Sequence, residues 1–456
     1  MSLRDDLNAL IIELDQTHKS AFSWSTEHGF PEFSTADNGL QRLFTKRARE
    51  ALLRLSSTLH QNREKSAIRI ELANYQKFVR QAVTDMHAAE AFSGSQIDNA
   101  NNGDDGLARL RNLVEERIKN NHKEYTHHFP AWTLGIEPFT LGPVKFLSRS
   151  DWIDSVDFHQ QTKDHFLNQP QANYRWREIL KKAFEHPKGN TVLDGLADPV
   201  YSAIEKCPAL IKVTIRGHEQ EFSRKLARLI CKTALDAISL AVGQRECFVQ
   251  QALQDERLPP VGNHTLVETD GFLQLPDIYL SRRVPSVTPQ RMREALKDMD
   301  EILQAFAAIL EKLVDPSNHS HPKLANRWAT ALDWYGEGSR ESSDAIALAK
   351  LGTCLDVLCS GGKFTGIRDM VVHLTGTSSD TQVIRGNRPR TLGQIVKDIY
   401  DQGRSQILHG THYDRLESFA MERQYASQLA RNALIVSAAR LLNYAGLDED
   451  NAFRTI

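Results

Sequence analysis

The chain is poor in cysteine, close to neutral and without any long apolar run. Its five cysteines (Cys207, Cys231, Cys247, Cys354 and Cys359) are odd in number and sit mostly in apolar helical segments. That pattern excludes a disulfide framework, and the lack of any Cys-x2-Cys pair argues against a zinc site. Cys354 and Cys359 read as small buried hydrophobes. With 56 Lys+Arg against 58 Asp+Glu, the formal net charge is -2. A basic coat is therefore excluded, and any nucleic-acid contact must come from a local patch. No stretch approaches the roughly 18 consecutive apolar residues of a membrane span. The start, Met1-Ser2-Leu3-Arg4-Asp5-Asp6, lacks the basic n-region and apolar core of a secretory leader. The expectation is a cytoplasmic protein with no membrane partner. No internal repeat and no sustained heptad is visible.

What the chain does have is helical periodicity at both ends. Residues 1–92 read as helices. Leu7, Leu10, Ile11 and Leu14 form one stripe; Leu40, Leu43, Arg47, Ala51 and Leu55 suggest a second helix; Tyr75, Phe78, Val79, Val83 and Met86 mark a third. The Asn/Asp/Gly-rich stretch 93–106 is expected to be a loop, followed by a short helix over 107–118. From about His122 the texture changes. The runs 129–136 and 141–147, punctuated by Gly and Pro, read as two strands, and 210–215 reads as another. A long amphipathic helix is expected from Glu219 to Val242, and 265–280 has strand character. From Thr288 onward the pattern is helical, broken at Pro316 and 318–322, with further helices at about 324–335, 343–359, 391–409 and 416–445. The fold class is mainly α. It divides into a helical N-terminal region (1–120), a mixed α/β (α+β) middle region (121–287) and an all-α C-terminal region (288–456).

One constellation carries chemistry. Within Leu392-Gly393-Gln394-Ile395-Val396-Lys397-Asp398-Ile399-Tyr400-Asp401-Gln402-Gly403-Arg404-Ser405-Gln406-Ile407-Leu408-His409-Gly410, the stripe Val396, Tyr400, Gly403, Ile407 predicts a helix packed on a core. Arg404 lies at the flank of that stripe. His409 follows five residues later, about 140° further round an ideal α-helix. The pair therefore needs the helix to unwind, and Gly410 is a plausible stop. Histidine titrates near neutrality and serves as general base or acid. Arginine offers phosphate a fixed fork of donors and keeps its charge. Together they suit cleavage of a ribose phosphate without metal. One pair per chain is thin, and a dimer would supply both acid and base. By spacing alone, Arg-x4-His is a weak motif that a surface ion pair and a helix-end histidine also satisfy.

The wider context resembles the Apea-like HEPN family of the HEPN ribonuclease superfamily. Tyr400, Arg404, Ser405, His409 and Gly410 match its Tyr-x3-Arg-Ser-x3-His-Gly signature. Arg327-Trp328-Ala329-Thr330-Ala331-Leu332-Asp333-Trp334-Tyr335 looks like its opening helix. Residues 345–358 (AIALAKLGTCLDVL) look like its second helix, with Asp356 where the family more usually has Glu, and residues 428–442 look like its closing helix. The resemblance spans about 327–445. It implies a HEPN-like helical bundle and a homodimer through the C-terminal domain. It further implies an endoribonuclease using Arg404 and His409, with Asp356 assisting and no cofactor. Many such proteins defend against phage, so a phage-derived or other trigger is an implied partner alongside RNA. Other members are non-catalytic scaffolds, which is the competing reading here.

The remaining motifs are weaker. Arg385, Arg388 and Arg390 form a basic loop just ahead of the Arg404 helix and are candidate contacts for an RNA backbone, with Ser405 as a further polar candidate. His127-His128 reads as a turn rather than a metal pair, and His319 and His321 as part of a plain loop. Gly336-Glu337-Gly338 and Gly361-Gly362-Lys363 read as helix-end turns, since neither has the strand–loop–helix setting of a phosphate loop.

Overall fold

The computed structural model describes residues 2–19, 22–64, 68–92, 103–121, 123–167, 175–186, 193, 195–257, 267–273, 287–386, 389–412, 414 and 416–456. Helices dominate among them. The chain falls into two compact units, Met1–Tyr125 with Ile215–Leu226, and Thr126–Thr214 with Ala227–Ile456.

The first unit begins with α1 (Leu3–Thr17), opened by a Ser2–Asp5 capping box. Its expected stripe is buried: Leu7, Leu10, Ile11 and Leu14 pack with residues of α2 (Lys46–Gln61), α3 (Leu72–Ala88) and α4 (Gly103–Asn121). The second helix starts later than the sequence pattern suggests. Residues 40–44 belong instead to an antiparallel hairpin, β1 (Glu32–Thr35) with β2 (Gln41–Phe44). Asn38-Gly39 makes its turn, with Gly39 at φ +83°, and the Thr45 hydroxyl then caps α2 by accepting the Ala48 N–H at 3.1 Å. Of the expected 93–106 loop, 103–106 open α4 and the rest lies outside the described residues.

The second unit contains a five-stranded sheet in the order β4-β5-β6-β3-β7. Its strands are β3 (Tyr125–Trp132), β4 (Phe139–Leu141), β5 (Val144–Ser148), β6 (Ala209–Ile215) and β7 (Ala252–Leu253). Between β5 and β6 come α5 (Arg149–Ser155), α6 (Gln160–Leu167), α7 (Trp176–Glu185) and α8 (Ala197–Ile204). Trp152, Trp176, Leu180 and Ile204 from three of these helices bury Leu210 of β6 in a small core of their own. His127 and His128 lie in β3, not in a turn. Alternation along the strand sends them to opposite faces, and His128 Nδ1 accepts the Trp152 indole N–H at 2.9 Å.

Helices follow: α9 (Gln220–Val242), α10 (Arg245–Gln250), α11 (Pro289–Lys297), α12 (Asp300–Val314), α13 (Pro322–Arg340), α14 (Asp344–Leu358), α15 (Lys363–Thr375), α16 (Leu392–Asp398) and α17 (Ala420–Leu442). Two short hairpins interrupt them, β8 (Glu268–Thr269) with β9 (Phe272–Leu273) and β10 (Gln382–Ile384) with β11 (Arg390–Thr391). The rest of the expected 265–280 strand region lies outside the described residues. The helix α15 was not foreseen, because its apolar positions are interrupted by Gly366, Arg368 and Asp369.

The middle and C-terminal regions, separate in the sequence reading, share this second unit. Three contacts explain why. The β4–β5 turn meets α12 so closely that a Cβ on Gly142 would lie 2.8 Å from the Ala307 carbonyl oxygen. Arg431 of α17 donates to the Leu240 and Ala241 carbonyls at the end of α9 (3.1 and 2.8 Å). Asp236 of α9, 2% exposed in its side chain, pairs with Arg340 of α13. Lys232 joins this group through Asp236 (3.1 Å) and Asp333. Burial pulls the Lys232 ammonium down, but the two aspartates outweigh it and hold it above the ordinary lysine value. Gly336 lies inside α13 and is part of this packing, since a Cβ there would stand 2.7 Å from the Asp236 carboxylate.

Candidate functional site

Two helices build the site. Helix α14 is apolar nearly all round: Ala347, Leu348, Leu351, Gly352, Cys354, Leu355 and Leu358 are buried. A helix with that pattern belongs at the centre of a bundle, and it packs against α13, α17 and the segment that carries Arg404. Asp356 stands at its flank, with 13% of its side chain exposed.

Helix α16 is opened by a Thr391–Gln394 capping box and continues beyond Asp398 as a π-helix over Ile399–Ile407. The expected stripe is therefore shifted. Ile399 is buried, whereas Tyr400 is only half-buried. Gly403 faces α14 so closely that a Cβ would lie 2.6 Å from Leu348 Cγ. On the opposite helix, a Cβ on Gly352 would approach both Arg404 Cβ and the Ile399 carbonyl at 3.3 Å. The two missing side chains let the backbones close, and Arg404 is seated beside Asp356. Its Nη2 lies 2.9 Å from Asp356 Oδ2, and its guanidinium carbon is 5.6 Å from the Tyr400 ring centroid. The Nε is buried without a hydrogen-bond partner, while 34% of the side chain remains exposed.

His409 is exposed at the end of this segment. Its N–H donates to the Ser405 carbonyl at 3.0 Å, and the Thr411 N–H closes the helix on Gln406 at 2.9 Å. Gly410 takes φ +67°, the left-handed stop that the sequence suggests. The winding also bears on the Arg404–His409 spacing. A π-helix bonds i to i+5, so residues five apart approach one line along it, as residues four apart do in an α-helix. The π-turns before Ile407 thus narrow the gap of about 140° that an α-helix would leave. Ser405 is half-buried between the two.

The basic loop divides. Arg385 is exposed. Arg388 lies outside the described residues. Arg390 is committed within the chain, 2.8 Å from Asp398 and 3.9 Å from Glu422. Burial pushes the Asp398 carboxyl up, against the opposing pull of Arg390 and with Glu422 and Asp401 adding to the rise.

Several features escaped the sequence reading. Gly352 carries no motif, and its role appears only when α14 meets the π-helix. His412, three residues beyond His409, lies 3.2 Å from Glu417 and packs on Phe419 with ring centroids 5.0 Å apart. His321 is a pin rather than a plain loop residue: it is 9% exposed, and its Nε2 lies 2.7 Å from the Gly446 carbonyl oxygen. Cys354 and Cys359 are buried free thiols. Among the described residues no group of three His, Cys, Asp or Glu is placed to hold a metal ion, and no single helix is long and apolar enough to cross a membrane. Comparison of the chain with protein-family models, curated proteins and solved structures finds no match.

Proposed function

We propose that this chain is a HEPN-type endoribonuclease that cleaves RNA without a metal, through Arg404 and His409. The observation that carries the reading is the closed pair of helices, in which Gly352 and Gly403 seat a half-exposed Arg404 against Asp356. A guanidinium anchored on one side and open on the other suits a phosphate, because its fork of donors is fixed before the substrate arrives. In this mechanism the His409 imidazole takes the proton from the ribose 2′-hydroxyl. The 2′-oxygen attacks phosphorus, and the bond from phosphorus to the 5′-oxygen breaks. The 5′-oxygen leaves with a proton from a second, protonated imidazole. The products are a 2′,3′-cyclic phosphate and a 5′-hydroxyl.

The second imidazole comes from a second copy of the chain. Arg404 keeps 34% of its side chain exposed and His409 is exposed, so a surface of the second copy would also cover the site and exclude water. Leu408, Leu416 and Met421, 60%, 94% and 60% exposed, flank His409 along the chain and are apolar enough to be that surface. Arg385, exposed, meets the RNA backbone together with Ser405 beside Arg404, and Arg388, outside the described residues, is a further candidate from the sequence. The N-terminal two-thirds then respond to a trigger, phage-derived or other, in a defence effector of the cytoplasm.

The test is cleavage of a labelled mixed RNA, in EDTA, by wild type, Arg404→Ala and His409→Ala. Cleavage by wild type alone supports the reading, and equal cleavage by all three would falsify it. A second reading has its own support: the Arg404–Asp356 pair neutralises the guanidinium inside the chain, as a non-catalytic HEPN scaffold would allow. That reading predicts RNA binding with no turnover, and wild-type turnover excludes it.

A further inference from the structure

A cavity of about 520 Å³ lies in the first unit, far along the chain from Arg404. Its volume falls in the range of about 300–1,000 Å³ usual for small-molecule sites. Helix α3 supplies one wall through Asn74, Lys77, Phe78 and Gln81. Their i, i+3, i+4, i+7 spacing puts them on a single face. This face differs from the buried one of Tyr75, Val79, Ala82, Val83 and Met86. The end of α4 and the residues after it supply Arg117, Asn121, Lys123 and Tyr125, and Glu219 with Gln220 close the third side.

The lining itself carries more cations than carboxylates. Lys77, Arg117 and Lys123 stand against the single carboxylate of Glu219. That carboxylate is already occupied: it accepts the Asn74 amide at 3.0 Å and the N–H groups of Glu221 and Phe222 at 3.1 and 3.4 Å. Arg117 is held by Asp37 and Asp85, each at 2.5 Å. Lys77 and Lys123 are both exposed; the Lys77 ammonium donates to the Asn74 side-chain oxygen at 2.9 Å, a neutral partner that leaves its charge for a ligand. Phe78 and Tyr125 are half-buried aromatics in the same lining. The Gln81 amide is committed to Thr35, Asp85 and Ser34, and the Asn121 NH2 donates to the Arg117 carbonyl, so the Asn121 oxygen and the Gln220 amide are the groups that offer an edge to a ligand.

Cations, flat aromatic faces and amides together match a nucleotide. A base stacks on an aromatic side chain, amides pair with its edge, and lysines meet the phosphate. A simple anion would leave the aromatics and amides unused, and a fatty acid would need a continuous apolar wall. We infer that this cavity binds a nucleoside phosphate, its base against Phe78 and Tyr125 and its phosphate between Lys77 and Lys123. The inference does not depend on the nuclease reading.

Calorimetric titration of the full chain tests it, with adenosine, guanosine and uridine monophosphates, the bare nucleosides, inorganic phosphate and a 5′-phosphorylated dinucleotide as probes. At least one monophosphate is expected to bind about tenfold or more tightly than its nucleoside or phosphate alone. The double variant Lys77→Glu/Lys123→Glu, melting like wild type, is expected to lose that affinity by at least about tenfold. A dinucleotide that binds more tightly than any mononucleotide identifies the end of an RNA strand as the source, and the reverse order identifies a free nucleotide. Three results overturn the inference: no saturation by any probe at millimolar concentration, equal affinity for phosphate alone, or unchanged affinity in the double variant.

Discussion

In the proposed mechanism Arg404 meets a phosphate from the side that Asp356 leaves open. The 2.9 Å ion pair with Asp356 Oδ2 holds the guanidinium beside α14, which is why the position of the acid matters as much as its charge. Asp356→Asn keeps the shape and removes the charge. RNA cleavage is expected to fall on the order of 10–100-fold as the fork drifts from its place, with RNA affinity changed far less. Unchanged cleavage in this variant would show that Asp356 does not position Arg404. Gly403 allows a sharper test of the packing. A Cβ there meets Leu348 Cγ at 2.6 Å, so Gly403→Ala should cost about 1–3 kcal/mol through overpacking, read from the urea midpoint. A change within about 0.5 kcal/mol, as for an ordinary surface position, would mean that the helices separate freely. The Arg404, Ser405 and His409 string was readable from the sequence because it lies on one segment. Gly352 was not, since nothing in its own neighbourhood says which helix will press against it.

At the scale of elements, legibility followed the strength of the apolar pattern. Helix α9 carries a long stripe, and its expected limits of Glu219 and Val242 lie close to the observed Gln220–Val242, while the stripe from Tyr75 to Met86 falls within α3. The β1–β2 hairpin was read as helix, although Asn38-Gly39 is a strong hairpin signal, because Leu40, Leu43, Ala51 and Leu55 imitate a helical stripe across it. The π-winding over Ile399–Ile407 left no visible mark, since one shifted residue still fits an α-helical pattern at that length. Sheet β3 carries a prediction of its own. Burial above all, with help from Lys212 and His127, pulls the His128 imidazole down to about 4. The folded chain thus keeps His128 neutral while the unfolded chain protonates it near the ordinary value of 6.5. Between those two values the unfolded state binds more protons, so stability is full above about 6.5 and falls as the pH drops toward 4. His128→Asn, whose amide oxygen can still accept the Trp152 N–H, should flatten the fall in melting temperature between pH 7 and pH 5. The same slope in variant and wild type would assign the acid sensitivity to other groups.

At the scale of the whole molecule, the chain forms two compact units, and residues 126–214 share one of them with 227–456. The sequence placed a boundary near residue 287 because strands stop and helices begin there. Contacts between elements far apart in sequence, such as Arg431 with Leu240 and Asp236 with Arg340, reach across that point, and no local pattern announces them. With a net charge of -2, the proposed RNA contact rests on a small patch, which places the burden on assembly. Light scattering should give a dimer for wild type, and Leu416→Glu with Met421→Glu should give a monomer that no longer cleaves RNA. A monomeric variant with full activity would mean that each chain carries a complete site. The central claim, metal-free cleavage by an Arg–His pair, is tested most directly by the chemistry of the cut end. Mass spectrometry of the fragments that wild type releases from a defined RNA in EDTA should show a 2′,3′-cyclic phosphate, absent with His409→Ala. A 3′-hydroxyl at the cut, or the same cyclic phosphate end released by His409→Ala, would contradict it.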